Sequence, residues 1–182
     1  MIVEDSILEG CIAGKRSAQA LLYKKFAGTM LGVCMRYSSS RVEAEDIAQE
    51  GFIKVFQRIT SFRKEGSFEG WMKRIMINQA LNHYRKSRKV PYHSVIEEID
   101  ETEILDMEEP EPLNPIPADT LLAMIQKLPE GYRMVFNLYV FEEYSHKEIA
   151  ESMNVSESTS KTQLLKARRL LRKNILSLKQ TK

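Results

Sequence analysis

Apolar residues recur every three or four positions along most of the chain, which is the period of amphipathic α-helices. The pattern predicts helices over 4–13, 17–37, 41–59, 67–86, 119–128 and 130–141. A short helix opening at Ser145 and a longer helix capped by Ser156 follow them. Period-two alternation, the signal of β-strands, is nearly absent. We therefore expect an all-α protein.

The last two predicted helices have the arrangement of a helix-turn-helix motif. Ser145 and Glu148 have the spacing of a capping box, and Asn154-Val155 forms the turn. The second helix has an apolar stripe and many basic residues: Leu164, Ala167, Leu171, Ile175, Lys161, Lys166, Arg168, Arg169 and Arg172. A short helix, a tight turn and a basic helix are typical of DNA-reading domains. The pattern alone leaves open an ordinary helical hairpin with a solvated basic face.

The helix predicted over 41–59 has a polar face that is acidic and rich in amides. Ser40 and Glu43 predict its start by capping-box spacing. Its polar face carries Glu45, Asp46, Gln49, Glu50 and Lys54. Such a face repels DNA and fits a protein partner with basic side chains. The alternative is a solvated helix face.

The next loop and helix combine aromatic rings with positive charge. The aromatic residues are Phe62, Phe68, Trp71 and Tyr84, and eight lysines and arginines lie among them between positions 63 and 89. Asn78 and Asn82 are one helical turn apart and share a face. Aromatic side chains can stack unpaired bases, so this combination favours single-stranded nucleic acid. We expect Trp71 in the core and Phe62, alone among charged loop residues, as the better candidate for a base contact.

Charge divides the chain into three blocks. Residues 1–90 hold 16 Lys and Arg against 9 Asp and Glu, and residues 120–182 hold 11 against 6. Residues 91–119 between them hold no basic residue and ten acidic ones. Five of the six prolines lie in 91–117, which predicts a flexible acidic linker that does not fold alone. An alternative is that this segment lies in a basic channel and imitates nucleic acid.

Several classes of protein are disfavoured by composition. Cys11 and Cys34 lie among apolar residues, as buried free thiols do, and no Cys/His cluster has zinc spacing. We expect no metal site and no cofactor. The N-terminus lacks the features of a secretory signal, and no apolar run has the length of a membrane span. A soluble, cytoplasmic protein without membrane insertion is the expectation.

Three runs together resemble bacterial RNA polymerase sigma factors. AEDIAQEGFIKVFQRI at 44–59 is similar to their polymerase-binding helix, and SFRKEGSFEGWMKRIMINQALNHYRKSRK at 61–89 to their promoter-melting and minus-ten-reading segment. LPEGYRMVFNLYVFEEYSHKEIAESMNVSESTSKTQLLKARRLLRK at 128–173 is similar to their minus-thirty-five-reading domain. Two such domains with a short linker resemble the extracytoplasmic-function (ECF) group.

The resemblance implies a fold and a function. The fold is two small helical domains: a four-helix, promoter-melting domain at 1–90 and a helix-turn-helix domain at 118–182, joined by the linker at 91–117. The function is to direct core RNA polymerase to specific promoters and help open the DNA for transcription initiation, without enzymatic activity. The implied partners are core RNA polymerase, promoter DNA as duplex and as melted non-template strand, and an anti-sigma factor.

The resemblance also implies roles for individual residues. Those matching polymerase-binding positions are Asp46, Gln49 and Glu50. Those around the pocket for a flipped minus-ten base are Phe62, Ser67, Phe68, Asn78 and Asn82. In the minus-thirty-five domain, the base-facing positions are Lys161, Thr162, Leu165 and Lys166, and the phosphate-positioning ones are His146, Thr159 and Arg168.

Three residues depart from the usual pattern of the family. Ser160 stands where an apolar β-branched residue is usual, and Gln163 where arginine is frequent. His146 stands where the family often has an aromatic residue. We expect Ser160 to loosen the packing at the turn, and Gln163 to remove a phosphate-type charge or add an adenine-type contact.

Two other functions compete with this interpretation. A stand-alone helix-turn-helix repressor or activator explains the C-terminal motif, but not Phe62 with Asn78 and Asn82. A nucleic-acid-processing enzyme needs clustered carboxylates or a metal site. The acidic residues of this chain cluster only in the predicted linker, where no element holds them in place.

Overall fold

The computed structural model describes residues 2–87 and 116–180, which form helices and no strand. The helices are α1 (Ile2–Ile12), α2 (Arg16–Tyr37), α3 (Arg41–Arg58), α4 (Phe68–Ser87), α5 (Ala118–Gln126), α6 (Glu130–Val140), α7 (His146–Met153) and α8 (Glu157–Gln180). A short 3-10 turn, Ile59–Ser61, follows α3. The all-α prediction is confirmed, with helix ends within two residues of the predicted ones. The predicted linker at 91–117 lies, except for its last two residues, outside the described residues.

Side-chain caps explain where several helices begin. Ser145 and Glu148 form the predicted capping box at α7: Ser145 Oγ accepts from Glu148 N–H, and the Glu148 carboxylate accepts from Ser145 N–H at 2.8 Å. At α3, Ser40 Oγ accepts from the N–H of Glu43, as predicted. However, the Glu43 carboxylate accepts from Ser39 N–H rather than from Ser40, so the second half of that box is displaced by one residue.

Helices α2, α3 and α4 form the centre of the N-terminal half. Their packed faces bury Met30, Val55, Met72 and Met76 completely. The crossing of α3 and α4 is close at Gly51, where an added Cβ would lie 2.1 Å from the Sδ of Met76. The absence of a side chain at position 51 therefore sets the separation of the two helices.

Helices α5 to α8 form the C-terminal half, but most of their apolar residues do not make a separate core. A small cluster consists of Met124, Ile125, Leu128, Ala167 and Leu171. The other buried residues of α6 to α8, such as Leu138 and Ile149, belong to the same cluster as the core of α2, α3 and α4. The two halves thus share a continuous buried cluster.

The end of α2 is where the two halves are tied together. The last four carbonyl groups of a helix have no partner inside the helix. Here the carbonyl of Cys34 accepts from Ser38 Oγ at 2.8 Å. The next three accept from side chains of the C-terminal half: Met35 from Gln126 Nε2, Arg36 from Asn137 Nδ2 and Tyr37 from Arg133 Nε, at 3.1, 2.8 and 3.1 Å. The second half of the protein therefore caps a helix of the first.

None of the described helices combines the length and the apolar character needed to cross a membrane.

Candidate nucleic-acid interface

One exposed face of α3 carries the three residues predicted to bind a polymerase. Asp46, Gln49 and Glu50 are all exposed and fall within little more than one helical turn. Ile53, one turn further on, is 55% exposed, so an apolar side chain continues the acidic face. This surface fits a partner that offers both basic side chains and an apolar contact.

The aromatic residues that follow α3 form a packed group. Phe62 lies 5.1 Å from Phe68 and 5.6 Å from Trp71 between ring centroids, and Phe68 stacks on Trp71 at 5.4 Å. All three rings are half-buried against the core. Trp71 packs against the core as predicted, whereas Phe62 is not the isolated loop aromatic that the sequence suggested. Its exposed part is one edge of an aromatic platform.

Ser67 has a structural function in the same loop. Its Oγ accepts from Gly70 N–H at 3.0 Å, which is the N-cap interaction at the start of α4. The cap holds the first turn of α4, including Phe68, beside Phe62. A role of Ser67 toward DNA stays a prediction.

Asn78 and Asn82 lie exposed on α4, one turn apart, as predicted. A groove of about 550 Å³ runs between α3 and α4, lined by Glu50, Ile53, Lys54, Gln79, Asn82, Arg85 and Lys86. The side-chain oxygen of Asn82 accepts from Arg85 Nη1 at 3.1 Å. One predicted polymerase-binding residue, Glu50, and one predicted minus-ten-reading residue, Asn82, thus border the same groove.

Helices α7 and α8 form the predicted helix-turn-helix. Asn154 ends α7 in the left-handed conformation, with φ of 54°, and Ser156 Oγ caps α8 by accepting from Thr159 N–H at 3.0 Å. Lys161, Thr162, Leu165 and Arg168 are exposed, while His146, Thr159 and Lys166 are half-buried. The structure therefore brings all seven residues predicted to face the minus-thirty-five element to the α7–α8 motif.

Two residues that depart from the sigma-factor pattern contact each other. His146 Nδ1 lies 2.9 Å from the Oγ of Ser160, a residue with no exposed surface. The Tyr139 ring stacks on His146 with 4.8 Å between centroids, and the Arg168 guanidinium lies 5.6 Å from the centre of the Tyr139 ring. Burial and the positive charges of Lys161 and Arg168 lower the pKa of His146, although Glu157 opposes them. These effects favour the neutral form of the imidazole.

Gln163, the third departure, does not lie on the predicted DNA-reading face. It is half-buried, and its side-chain amide is 3.1 Å from the position of a Cβ on Gly131 of α6. In this arrangement the amide packs towards α6, so the adenine-type contact stays a prediction, as does the loss of a phosphate-type charge. The residue packs α8 onto α6 because Gly131 leaves room for it.

Ion pairs also connect the N-terminal and C-terminal halves beside the candidate DNA-reading surfaces. Glu142 Oε1 lies 3.0 Å from Arg36 Nη2, and its Oε2 lies 2.9 Å from Lys73 Nζ. The Glu142 side chain is only 7% exposed. Further along α4, the Arg85 guanidinium donates to the backbone carbonyl of Ser152 on α7.

Sequence reasoning missed the contacts of Glu142 and Arg85, because they join positions 67 to 106 residues apart. The position of Ser160 could have predicted its burial from the sequence. It extends the apolar stripe of Leu164, Ala167 and Leu171 by one turn, and a polar residue buried there needs a hydrogen-bond partner. Nothing in the spacing identified that partner as His146.

The two cysteines are buried free thiols, as predicted. Burial raises the pKa of Cys34 to about 12, so its thiol is unreactive at neutral pH. In the ranges 2–87 and 116–180, no group of three His, Cys, Asp or Glu side chains could hold a metal ion.

Two family models match the chain. The model described as Sigma-70 region 2 matches residues 22–90, and the model described as Sigma-70, region 4 matches residues 118–171. The first match contains the α3 face and the α4 groove. The second contains the helix-turn-helix.

Curated proteins match over nearly the full length. The RNA polymerase sigma-H factor of Pseudomonas aeruginosa is 32% identical over 93% of this chain and 92% of its own. The ECF RNA polymerase sigma factor SigW of Bacillus subtilis is 32% identical over 91% of this chain and 92% of its own. The ECF RNA polymerase sigma-E factor of Haemophilus influenzae is 30% identical over 96% of both chains.

Among solved structures, CnrH in complex with the cytosolic domain of CnrY is similar, with a TM-score of 0.48 and 16% identity. The alignment covers 94% of this chain and 96% of that one. RpoE of Bartonella quintana in complex with the anti-sigma factor NepR also has a TM-score of 0.48, with 17% identity over 87% of this chain and 96% of that one.

Proposed function

Because the chain belongs to the ECF group of RNA polymerase sigma factors, we propose that residues 1–90 bind core polymerase and the minus-ten element while residues 118–182 read the minus-thirty-five element. The protein directs core RNA polymerase to specific promoters. Promoter recognition takes place in the cytoplasm, where core polymerase and promoters are located. The sigma factor itself catalyses no reaction in this process. A stand-alone repressor is not favoured, since the region 2 match at 22–90 has no place in that function.

The acidic face of α3 is the proposed docking surface for core polymerase. Asp46, Gln49 and Glu50 are exposed there, with Ile53 beside them. Opposite charges steer association and fix the register of an interface, and the apolar side chain adds buried area. Docking on this face orients α4, because α3 and α4 pack together through Gly51 and Met76.

Five residues are proposed to read the minus-ten element: Phe62, Ser67, Phe68, Asn78 and Asn82. A base can be read only after it leaves the stack, which costs a few kcal/mol. The edge of the Phe62–Phe68–Trp71 platform offers a ring surface that offsets part of this cost at roughly 1–3 kcal/mol per stacked base. The amides of Asn78 and Asn82 supply donors and acceptors for base edges.

The N-terminal half of α8 is the proposed reader of the upstream duplex. Lys161, Thr162, Leu165 and Lys166 face the bases of the major groove, where lysine contacts guanine and apolar side chains contact the thymine methyl group. His146, Thr159 and Arg168 hold backbone phosphates and fix the position of the helix.

The two halves have to separate before both promoter elements can be read. In the structure they are packed together through Glu142 and the capped end of α2. An extended linker of 27 residues reaches on the order of 90 Å, which is sufficient for two separate DNA elements. Core polymerase provides the surfaces that hold the halves apart. An anti-sigma protein that keeps the factor inactive is the further partner implied by the sequence resemblance.

The observation that carries this proposal is the presence of the acidic α3 face, the aromatic platform and the helix-turn-helix in one chain. The test is run-off transcription with purified core polymerase. Asp46→Ala with Gln49→Ala should abolish core binding and transcription, while Lys24→Ala with Thr29→Ala, both exposed on α2, should not. Unchanged core binding by the first pair rejects the α3 interface.

Strand opening tests the second half of the proposal. Holoenzyme with Phe62→Ala should bind duplex promoter normally but show weaker permanganate reactivity at the minus-ten thymines. Tyr23→Ala removes an exposed ring that packs edge-to-face against Phe52 and is not one of the three platform rings, so it should leave opening unchanged. Normal reactivity in Phe62→Ala rejects its role.

A further inference from the structure

Four side chains from three helices form a connected unit at the start of the helix-turn-helix. His146 begins α7, Ser160 lies in the first turn of α8, Arg168 lies two turns later, and Tyr139 is near the end of α6. The connections are the 2.9 Å contact of His146 Nδ1 with Ser160 Oγ, the stack of Tyr139 on His146 and the Arg168 guanidinium near the Tyr139 ring. Together they join two of the three proposed phosphate-binding side chains, His146 and Arg168, to residues with no assigned function.

The serine hydroxyl fixes which nitrogen of His146 can meet DNA. A hydroxyl can donate to a bare Nδ1 or accept from an Nδ1–H, so Ser160 satisfies the ring in its neutral and its charged form. Because Nδ1 is engaged, a contact of this ring with phosphate has to use Nε2. The usual β-branched apolar residue at position 160 could not hold the ring in this way.

Tyr139 fixes the plane of the same ring. Its stack on His146, with 26° between the rings, restricts rotation of the imidazole. The Arg168 guanidinium is within the distance of a cation–π contact with the Tyr139 ring. One aromatic ring therefore connects the imidazole on α7 to a positive charge on α8.

We propose that Ser160 and Tyr139 are positioning residues, which hold His146 Nε2 and the Arg168 guanidinium in place for backbone phosphates of the upstream promoter duplex. Ser160 is fully buried, so it acts only through His146. This inference rests on the proposed function, in which His146 and Arg168 contact phosphates. It replaces the expectation that Ser160 loosens the packing at the turn.

The test uses holoenzyme, reconstituted from core polymerase and the full chain, on promoter duplexes with one neutral methylphosphonate at each phosphate of the minus-thirty-five element in turn. For the unmodified protein, replacement of the phosphates that it contacts should weaken binding. In His146→Ala, a methylphosphonate at one of these phosphates should no longer weaken binding. Ser160→Ala should have the same effect at the same phosphate. It should also weaken binding to unmodified DNA about 3- to 10-fold, the change expected for the loss of one hydrogen bond.

Matched variants separate positioning from packing. Ser160→Thr keeps the hydroxyl, so a methylphosphonate at the His146 phosphate should again weaken binding. In Tyr139→Leu, a methylphosphonate should no longer weaken binding at the phosphate contacted by His146 or at the one contacted by Arg168. Ser177→Ala, an exposed serine near the other end of α8, should behave as the unmodified protein. Thermal melting of each variant identifies any that does not fold, and Tyr139→Leu then carries the test if Ser160→Ala unfolds.

The outcomes distinguish the phosphate contact of His146 from the positioning of His146 by Ser160 and Tyr139. If His146→Ala keeps the full phosphate pattern, the assignment of His146 in the proposed function is wrong. If His146→Ala changes the pattern but Ser160→Ala and Tyr139→Leu do not, the positioning inference is overturned. A uniform weakening at all phosphates in Ser160→Ala also overturns it, because that result indicates packing alone.

Discussion

Glu142 and Lys73 form an ion pair in which the Glu142 Oε2 lies 2.9 Å from the Lys73 Nζ. The lysine lies on α4, the helix that carries Asn78 and Asn82, while the glutamate follows α6 in the C-terminal half. Glu142 also binds Arg36, so one nearly buried carboxylate neutralises two cations of the N-terminal half. This carboxylate therefore contributes to the contact between the two halves.

Glu142→Gln is therefore expected to loosen the contact between the halves. It keeps the volume but leaves Arg36 and Lys73 facing each other without a counter-charge. Because both cations are partly exposed, at 20% and 34%, we expect a loss of about 1–3 kcal/mol rather than the larger cost of a fully buried pair. Urea unfolding measures the loss, and small-angle X-ray scattering should give a larger radius of gyration.

The control for this change is Glu45→Gln, which breaks the exposed Arg41–Glu45 pair on α3. Exposed pairs contribute little, so its effect should stay below about 0.5 kcal/mol without expansion of the molecule. If Glu142→Gln matches this control in both measurements, Glu142 does not hold the halves together.

Gly51→Ala should destabilise the N-terminal half. The new methyl group would lie 2.1 Å from Met76 Sδ, and Met76 is fully buried and cannot move into solvent. Overpacking of this kind costs about 1–3 kcal/mol.

Gly28→Ala on α2 is the matched control, since no atom lies within 4 Å of its added Cβ. It should stabilise the protein by about 0.5–1 kcal/mol, because alanine favours the helix over the unfolded chain. Thermal unfolding should separate the two variants in opposite directions, and equal melting temperatures would contradict the close crossing of α3 and α4.

Stability should fall as the pH is lowered below about 4.5, the ordinary pKa of a glutamate. Burial tends to raise the pKa of Glu43, but its hydrogen bonds from Ser39 outweigh this and lower the pKa below the ordinary value. The hydrogen bonds from Ser145 likewise lower the pKa of Glu148. Since each folded pKa is the lower one, the unfolded chain binds more protons, and stability is lost as the pH falls through the folded values.

Urea unfolding between pH 7 and pH 3 measures this dependence. Glu43→Gln and Glu148→Gln remove one titrating carboxylate each, so each variant should show a shallower loss of stability over that range. Glu69→Gln, an exposed residue in the first turn of α4, serves as comparison. Profiles of the two variants that parallel the unmodified protein would show that these carboxylates are not held in the folded state.

Lys161→Ala should weaken binding of holoenzyme to the upstream element by roughly 1–3 kcal/mol if the side chain reads a base. Lys161 is exposed in the second turn of α8, on the face with Thr162 and Leu165. The loss should be confined to promoters with the preferred base at one position. Lys173→Ala, exposed in the C-terminal half of the same helix, should not change the sequence preference. Equal loss on all promoters would make Lys161 a phosphate contact instead.

Local signals in the sequence were sufficient for the helices and their caps. The Ser145–Glu148 box, the Ser156 cap and the turn at Asn154 each involve residues within four positions, so spacing alone predicted them. The apolar stripe of α8 was equally local. The residues assigned to DNA on α7 and α8 therefore lie on one motif, while their contacts with DNA stay a prediction.

Contacts between distant elements could not be predicted in the same way. Arg36 and Glu142 are 106 positions apart, and their pairing depends on how the two halves pack. The contact of His146 with Ser160 depends on the crossing of α7 and α8, and that of Gln163 with Gly131 on the crossing of α8 and α6. Such crossings are set by the shapes of many side chains together, which a periodic pattern does not contain.

The capped end of α2 makes the two halves a cooperative unit. Gln126, Asn137 and Arg133 donate to three consecutive backbone carbonyls of α2, so these bonds exist only while the halves are together. When the halves part, water has to replace all three donors at once, and the final turn of α2 frays in the same step. A fragment that ends before the linker would therefore keep α2 with its last three carbonyl groups exposed to water.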